Sequence, residues 1–121
     1  MAKRIKRNPN QALIYIRVSS EKQSVSGLGL ADQTNRCRAY CEMMGLQVVE
    51  LFRDDTSAGK PLAKRPAGAR LLDTLKRSGA GAVVTLKLDR AFRSAVDALV
   101  TVEQWEQAGV ALHMVDFGGN S

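Results

Sequence analysis

Four short apolar runs, each separated from the next by a stretch of helical periodicity, leave this chain few ways to fold. Ala12 to Val18 carries Leu13, Ile14, Ile16 and Val18, and Val48 to Phe52, Ala82 to Leu88 and Val110 to Val115 repeat the pattern. Runs without polar alternation are expected of strands buried on both faces, as in a parallel sheet covered by helices. Between them, Leu30 to Met44 reads as a helix with Cys37, Tyr40, Cys41 and Met44 on one face and Gly45 as its stop. A second helix follows Arg65, with Pro66 suited to its first turn, Leu71, Leu72 and Leu75 inside, and Gly79 at its end. A third opens at Ser94, whose hydroxyl can cap it with Asp97 three residues on. Val96, Leu99 and Val100 mark its expected inner face, and Gly109 its end. The alternation predicts an α/β three-layer fold, a mostly parallel central sheet with helices on both faces, and the flavodoxin-like order 2-1-3-4 is the preferred topology because it places a crevice between strands 1 and 3. In such sheets ligands bind beyond the strand C-termini, where the strand order switches.

A chain of 121 residues closes one core, not two. Its formal charge of +6 is concentrated at the start, where Lys3, Arg4, Lys6 and Arg7 lie, so residues 1–11 are expected to form a basic, flexible, solvated arm and 12–121 the folded domain. No apolar signal-peptide core follows the arm, and no run of about 18 apolar residues exists, so neither secretion nor a membrane partner is expected. Cys37 and Cys41 supply at most half of a zinc shell and are better read as core thiols in a reducing cytoplasm.

The polar chemistry collects just past the strands. Arg17, Ser19, Ser20 and Gln23 follow the first; Asp54, Asp55, Thr56 and Ser57, then Lys60 and Arg65, follow the second. Lys87, Asp89, Arg90 and Arg93 lie at the third, and Asp116 after the fourth. Guanidinium groups pair with phosphate oxygens and keep their charge at any useful pH, so this edge is suited to a phosphate. A serine nucleophile normally needs a histidine base, yet the single histidine, His113, falls inside a predicted strand with no Gly-x-Ser-x-Gly elbow elsewhere. That argues against an esterase or protease, and the absence of a Walker lysine loop argues against nucleotide hydrolysis. Phosphoryl transfer fits better, because several cations can stabilise charge on nonbridging oxygens. Trp105 reads as a helix or interface residue rather than a base-stacking platform.

The run Tyr15-Ile16-Arg17-Val18-Ser19-Ser20 followed by Gln23 resembles the nucleophile motif of the serine recombinases, the resolvases, invertases and large integrases. Asp54-Asp55-Thr56-Ser57 with Arg65 resembles that family's second block, and Lys87-Leu88-Asp89-Arg90 with Arg93 its third. The resemblance spans Leu13 to Val115. It implies a site-specific recombinase that cuts DNA through a 5′-phosphoserine link on Ser19, with Arg17, Arg90 and Arg93 on the scissile phosphate and Arg65 joining them. Asp89 would orient the arginines or assist proton transfer, and Gln23 and Ser57 would hold the site or the phosphate. Gln33 matches a glutamine the family keeps at the start of its first helix. Tyr15 and Asp54 suit a structural role as well as a functional one, and Lys87 suits a strand-end solubility role. The resemblance implies neither metal nor cofactor. DNA is the implied partner, with self-association in the full-length protein and a cytoplasmic, nucleoid-associated location.

Three features depart from or refine the pattern. Ala58 separates Ser57 from Gly59, and Ala91-Phe92 stands where a leucine and a glycine are common. Ser26 to Leu30 is longer than in small resolvases and resembles the large or transposase-associated branches. Relatives continue into an oligomerisation helix and a DNA-binding domain, so the chain is expected to be the catalytic part alone. A non-enzymatic phosphate-binding module of the same fold remains a competing reading. A response-regulator receiver does not, since its acidic pair belongs after the first strand.

Overall fold

The computed structural model describes residues 7–17, 30–55, 60–86, 92 and 94–115. Along them run β1 (Asn8–Arg17), α1 (Leu30–Met44), β2 (Gln47–Asp54), a 3-10 turn (Leu62–Lys64), α2 (Pro66–Arg77), β3 (Ala80–Thr85), α3 (Ala95–Gln107) and β4 (Ala111–Met114). The four strands are parallel and ordered β2-β1-β3-β4, so β1 lies in the middle and the expected switch in strand order falls beside it.

Side-chain alternation along β1 divides the interior into two layers. Ala12, Ile14 and Ile16 join Cys37 and Cys41 of α1 and Ala82 and Val84 of β3 on one side. Leu13 and Tyr15 join Phe52, Leu71, Leu75, Val83 and Trp105 on the other, where α2 and α3 pack. Both faces of β1 are therefore covered, which accounts for its apolar run.

Helix ends follow local chemistry. Gly45 has φ +73, a value that glycine adopts without steric cost, and Leu46 N–H turns back to donate to Cys41 O at 2.7 Å. Pro66 occupies the first position of α2, and Ser94 Oγ accepts from Asp97 N at 3.1 Å at the start of α3.

Several expectations change. β1 begins at Asn8, so Asn8 to Gln11 belong to the sheet and not to an arm. Arg7 is engaged as well: Nη1 donates to Leu75 O, Ser78 O and Ala80 O, and Nε to Ala108 O. Residues 1–6 of the expected arm lie outside the described residues. β3 spans Ala80–Thr85 rather than 82–88, ending before Lys87. Met44 is exposed although Cys37 and Cys41 earlier in the helix are buried; it is the last residue of α1, where the chain turns at Gly45 towards β2.

The largest correction concerns α3. Val96, Leu99 and Val100 are exposed, and Ala98 and Trp105 are the buried residues, with Val102 packed between them. The helix carries apolar residues around most of its circumference, so several stripes were possible. The Trp105 indole decides the matter by packing on Phe92, ring centroids 6.0 Å apart. Of the three exposed residues, Leu99 borders a groove of about 630 Å³ between α3 and β4, lined also by Val102, Leu112 and Met114 among others.

Candidate active site

The C-terminal ends of β1 and β2 are held side by side: Arg17 is the register partner of Asp54, and Tyr15 that of Phe52. On the other flank Tyr15 is level with Thr85 of β3, whose Oγ1 donates to Tyr15 O at 3.0 Å. Gln33, in the first turn of α1, donates from Nε2 to Arg17 O at 3.3 Å. Central strand, flanking strand and helix thus converge on the last residues of β1.

Asp54 shows what the edge is built for. Its Oδ1 accepts from Ala67 N and its Oδ2 from Gly68 N, both at 2.9 Å, so the carboxylate caps α2 from a different element. The residue at the N-cap position, Arg65, makes no side-chain cap bond and leaves those donors to Asp54. A carboxylate at a helix N-terminus is favoured by the local partial positive charge as well as by the bonds themselves.

Tyr15 joins this cap to Arg65. Its hydroxyl donates to Asp54 Oδ2 at 2.8 Å and accepts from Arg65 Nη1 at 3.0 Å, while the Arg65 guanidinium carbon sits 5.9 Å from the centre of the Tyr15 ring. Arg65 Nε donates to Lys60 O at 3.0 Å. All three side chains are buried, Arg65 and Tyr15 completely. Burial raises the Tyr15 pKa above its ordinary value; the bond from Arg65 opposes the shift and the bond to Asp54 adds to it. The phenol therefore stays protonated and can bridge cation and anion. Gly68 makes the close approach possible, since a Cβ there would overlap the carbonyl oxygen of Leu62.

Of the twelve residues expected at the site, the structure brings together Tyr15, Arg17, Gln33, Asp54 and Arg65. Ser19, Gln23, Ser57, Lys87, Asp89, Arg90 and Arg93 lie outside the described residues. Sequence reasoning passed over Thr85 and Gly68. A threonine closing a run of small apolar residues, and a glycine in the first turn of a helix, were the available signals. Elsewhere, His113 Nδ1 lies 2.8 Å from Tyr40 Oη with the rings edge-on, and burial holds the imidazole pKa below its ordinary value. Burial pushes the Cys37 thiol up to about 12 and also raises Cys41, which disfavours the thiolate form of both. Among the described residues no group of three or more His, Cys, Asp or Glu is placed to hold a metal ion.

Residues 12–120 match the family described as Resolvase, N terminal domain. The chain belongs to the serine recombinases. Its fold agrees with the N-terminal catalytic domain of TP901-1 integrase at a TM-score of 0.79 and 30% identity, covering 88% of this chain and 78% of that one. The C-terminal catalytic domain of ISC1926 TnpA, an IS607-like serine recombinase, gives 0.74 and 27%, over 87% and 70% of the two chains. A resolvase family site-specific recombinase from Streptococcus pneumoniae gives 0.70 and 26%, over 88% and 72%. No curated protein sequence matches the chain. The parallel 2-1-3-4 sheet is thus the fold of a serine recombinase catalytic domain, and the chain is a recombinase enzyme domain. No helix among the described residues of this recombinase is long and apolar enough to cross a membrane.

Proposed function

We propose that this recombinase domain cuts and rejoins DNA by two transesterifications. Ser19 Oγ attacks a phosphodiester, the P–O bond to the 3′-oxygen breaks, and the proton lost by serine balances the one gained by the free 3′-hydroxyl. The 5′-phosphate stays on Ser19 until a 3′-hydroxyl attacks it and releases the serine. Arg17, Arg90 and Arg93 neutralise charge on the nonbridging oxygens, and Gln23, Ser57 and Lys87 support the phosphate. Asp89 orients the arginines or assists proton transfer. Arg65, wholly buried against Tyr15, acts as a positioning residue whose charge reaches the phosphate through a poorly screened interior.

The observation that carries this reading is the alignment of strand ends. Arg17 pairs with Asp54, and Tyr15 is level with Thr85, at one edge of a parallel sheet. The segments bearing Ser19, Ser57 and Lys87 to Arg90 directly follow those three strands in the sequence. A phosphate-binding module without chemistry would share the edge but form no covalent bond.

A nicked suicide duplex separates the two. The recombinase carrying this domain is expected to form a covalent adduct that mass spectrometry assigns to Ser19. Ser19→Ala should abolish the adduct without loss of fold. Arg90→Ala and Arg93→Ala should each cost about 3 kcal/mol of transition-state stabilisation, by analogy with removal of one preorganised donor. An adduct on any other residue, or one formed by Ser19→Ala, overturns the assignment.

A further inference from the structure

We propose that Lys60, Lys64 and Arg70 form a backbone clamp for duplex DNA, gripping phosphates that flank the reacting one. The clamp rests on the reading of the strand-end edge as a DNA site. Between Asp55 and Asp73 the sequence has four cations, Lys60, Lys64, Arg65 and Arg70, and no carboxylate. The fold divides their work. Arg65 turns inward to Tyr15, whereas the other three are exposed.

The carboxylates that bracket them in the sequence are already engaged. Asp54 is buried on the N–H groups of α2, Asp55 pairs with Arg53, and Asp73 pairs with Arg77 one helical turn on. Among the described residues, no ion pair involves Lys60, Lys64 or Arg70. Three exposed like charges within eleven residues are thus left without an ion-pair partner among the described residues, on the first turns of α2 and the segment leading into it.

Their backbone is anchored. Leu62, between the two lysines, is buried in the core. Lys60 O accepts from Arg65 Nε, and Lys64 N donates to Pro61 O at 2.9 Å. Arg70 follows Pro66 by four residues, about 6 Å along the helix axis. The three stems therefore leave a fixed scaffold, so gripping a phosphate orders side chains only, not the loop.

Duplex DNA is the partner this arrangement fits. It carries a charge about every 1.7 Å of its axis, so a duplex laid across the edge brings phosphates within reach of side chains one turn away. Such contacts fix position without reading sequence.

The test is the salt dependence of binding between this chain and a fluorescent random-sequence duplex, followed by anisotropy from about 50 to about 200 mM salt. The triple variant Lys60→Gln, Lys64→Gln, Arg70→Gln is expected to flatten the slope of log K against log salt by about 0.9 for each phosphate it no longer neutralises. Lys76→Gln, an exposed lysine in the last turn of α2, should leave the slope unchanged. All four positions are exposed, so circular dichroism should show folded variants. An unchanged slope in the triple variant, an equal flattening for Lys76→Gln, or no binding by the unaltered chain at the lowest salt overturns the clamp. So does equal affinity for polyglutamate in place of DNA, which would point to an acidic protein. Ser19→Ala should keep the full slope. Failure of the adduct experiment with the slope difference intact would sink the transesterification and spare the clamp.

Discussion

Tyr15 brings a single hydroxyl to the edge of the sheet, yet a strand end, a helix start and a buried cation all depend on it. Tyr15→Phe keeps the ring and removes the bridge, so Asp54 is deprived of one donor and Arg65 of one acceptor. Bonds to charged groups are worth about 1.5–3 kcal/mol each, and the variant should unfold at lower urea concentration by an amount in that range, with an unaltered m-value. No change in the urea midpoint would mean that the bridge is incidental. The residue types at this edge could be read in the sequence, because each block of the recombinase motif lies where a strand is predicted to end. Their pairing could not. Capping signals are local, and nothing near Pro66 says that a carboxylate twelve residues upstream will cap α2 or that a phenol will stand between it and Arg65.

Elements show the same divide. β1 and β3 were legible because both their faces are buried, and α1 and α2 because their stop and start residues, Gly45 and Pro66, act through backbone geometry that any context preserves. The inner face of α3 was not, since Val96, Leu99 and Val100 are as apolar as the residues that do pack. Only the bulk of Trp105 and the place of Phe92 choose the stripe. Trp105→Ala is expected to destabilise the domain by about 3–5 kcal/mol, and Leu99→Ser by no more than about 0.5 kcal/mol. Thermal melts that shift equally for the two would restore the face that periodicity suggests. Surplus apolar surface on α3 then has another origin than the core of this domain, and of its three exposed residues Leu99 lines the groove beside β4.

At the scale of the molecule, the layers follow from the alternation, and the strand order is the preferred one that sets a crevice between the first and third strands, whereas the lower boundary of the fold was not legible. A start in which cations outnumber apolar residues looks like a solvated arm, but Arg7 fastens the C-terminal ends of α2 and α3 to the first residue of β3. Burial lowers its pKa, though not enough to discharge a guanidinium. Arg7→Ala should cost about 2 kcal/mol and speed amide exchange in the last turns of both helices, at the end of the domain farthest from the candidate site. Exchange confined to the N-terminal residues would show that the fastening is idle. The place of β1 has a consequence for biosynthesis. β1 precedes β2, β3 and β4 in the sequence yet pairs with β2 on one side and β3 on the other, and its hydrogen bond with Thr85 closes a separation of 70 residues. As the ribosome releases the polypeptide, Leu13 to Ile16 must wait, sticky and half-matched, until Thr85 has emerged, which makes this short segment the natural target for a chaperone.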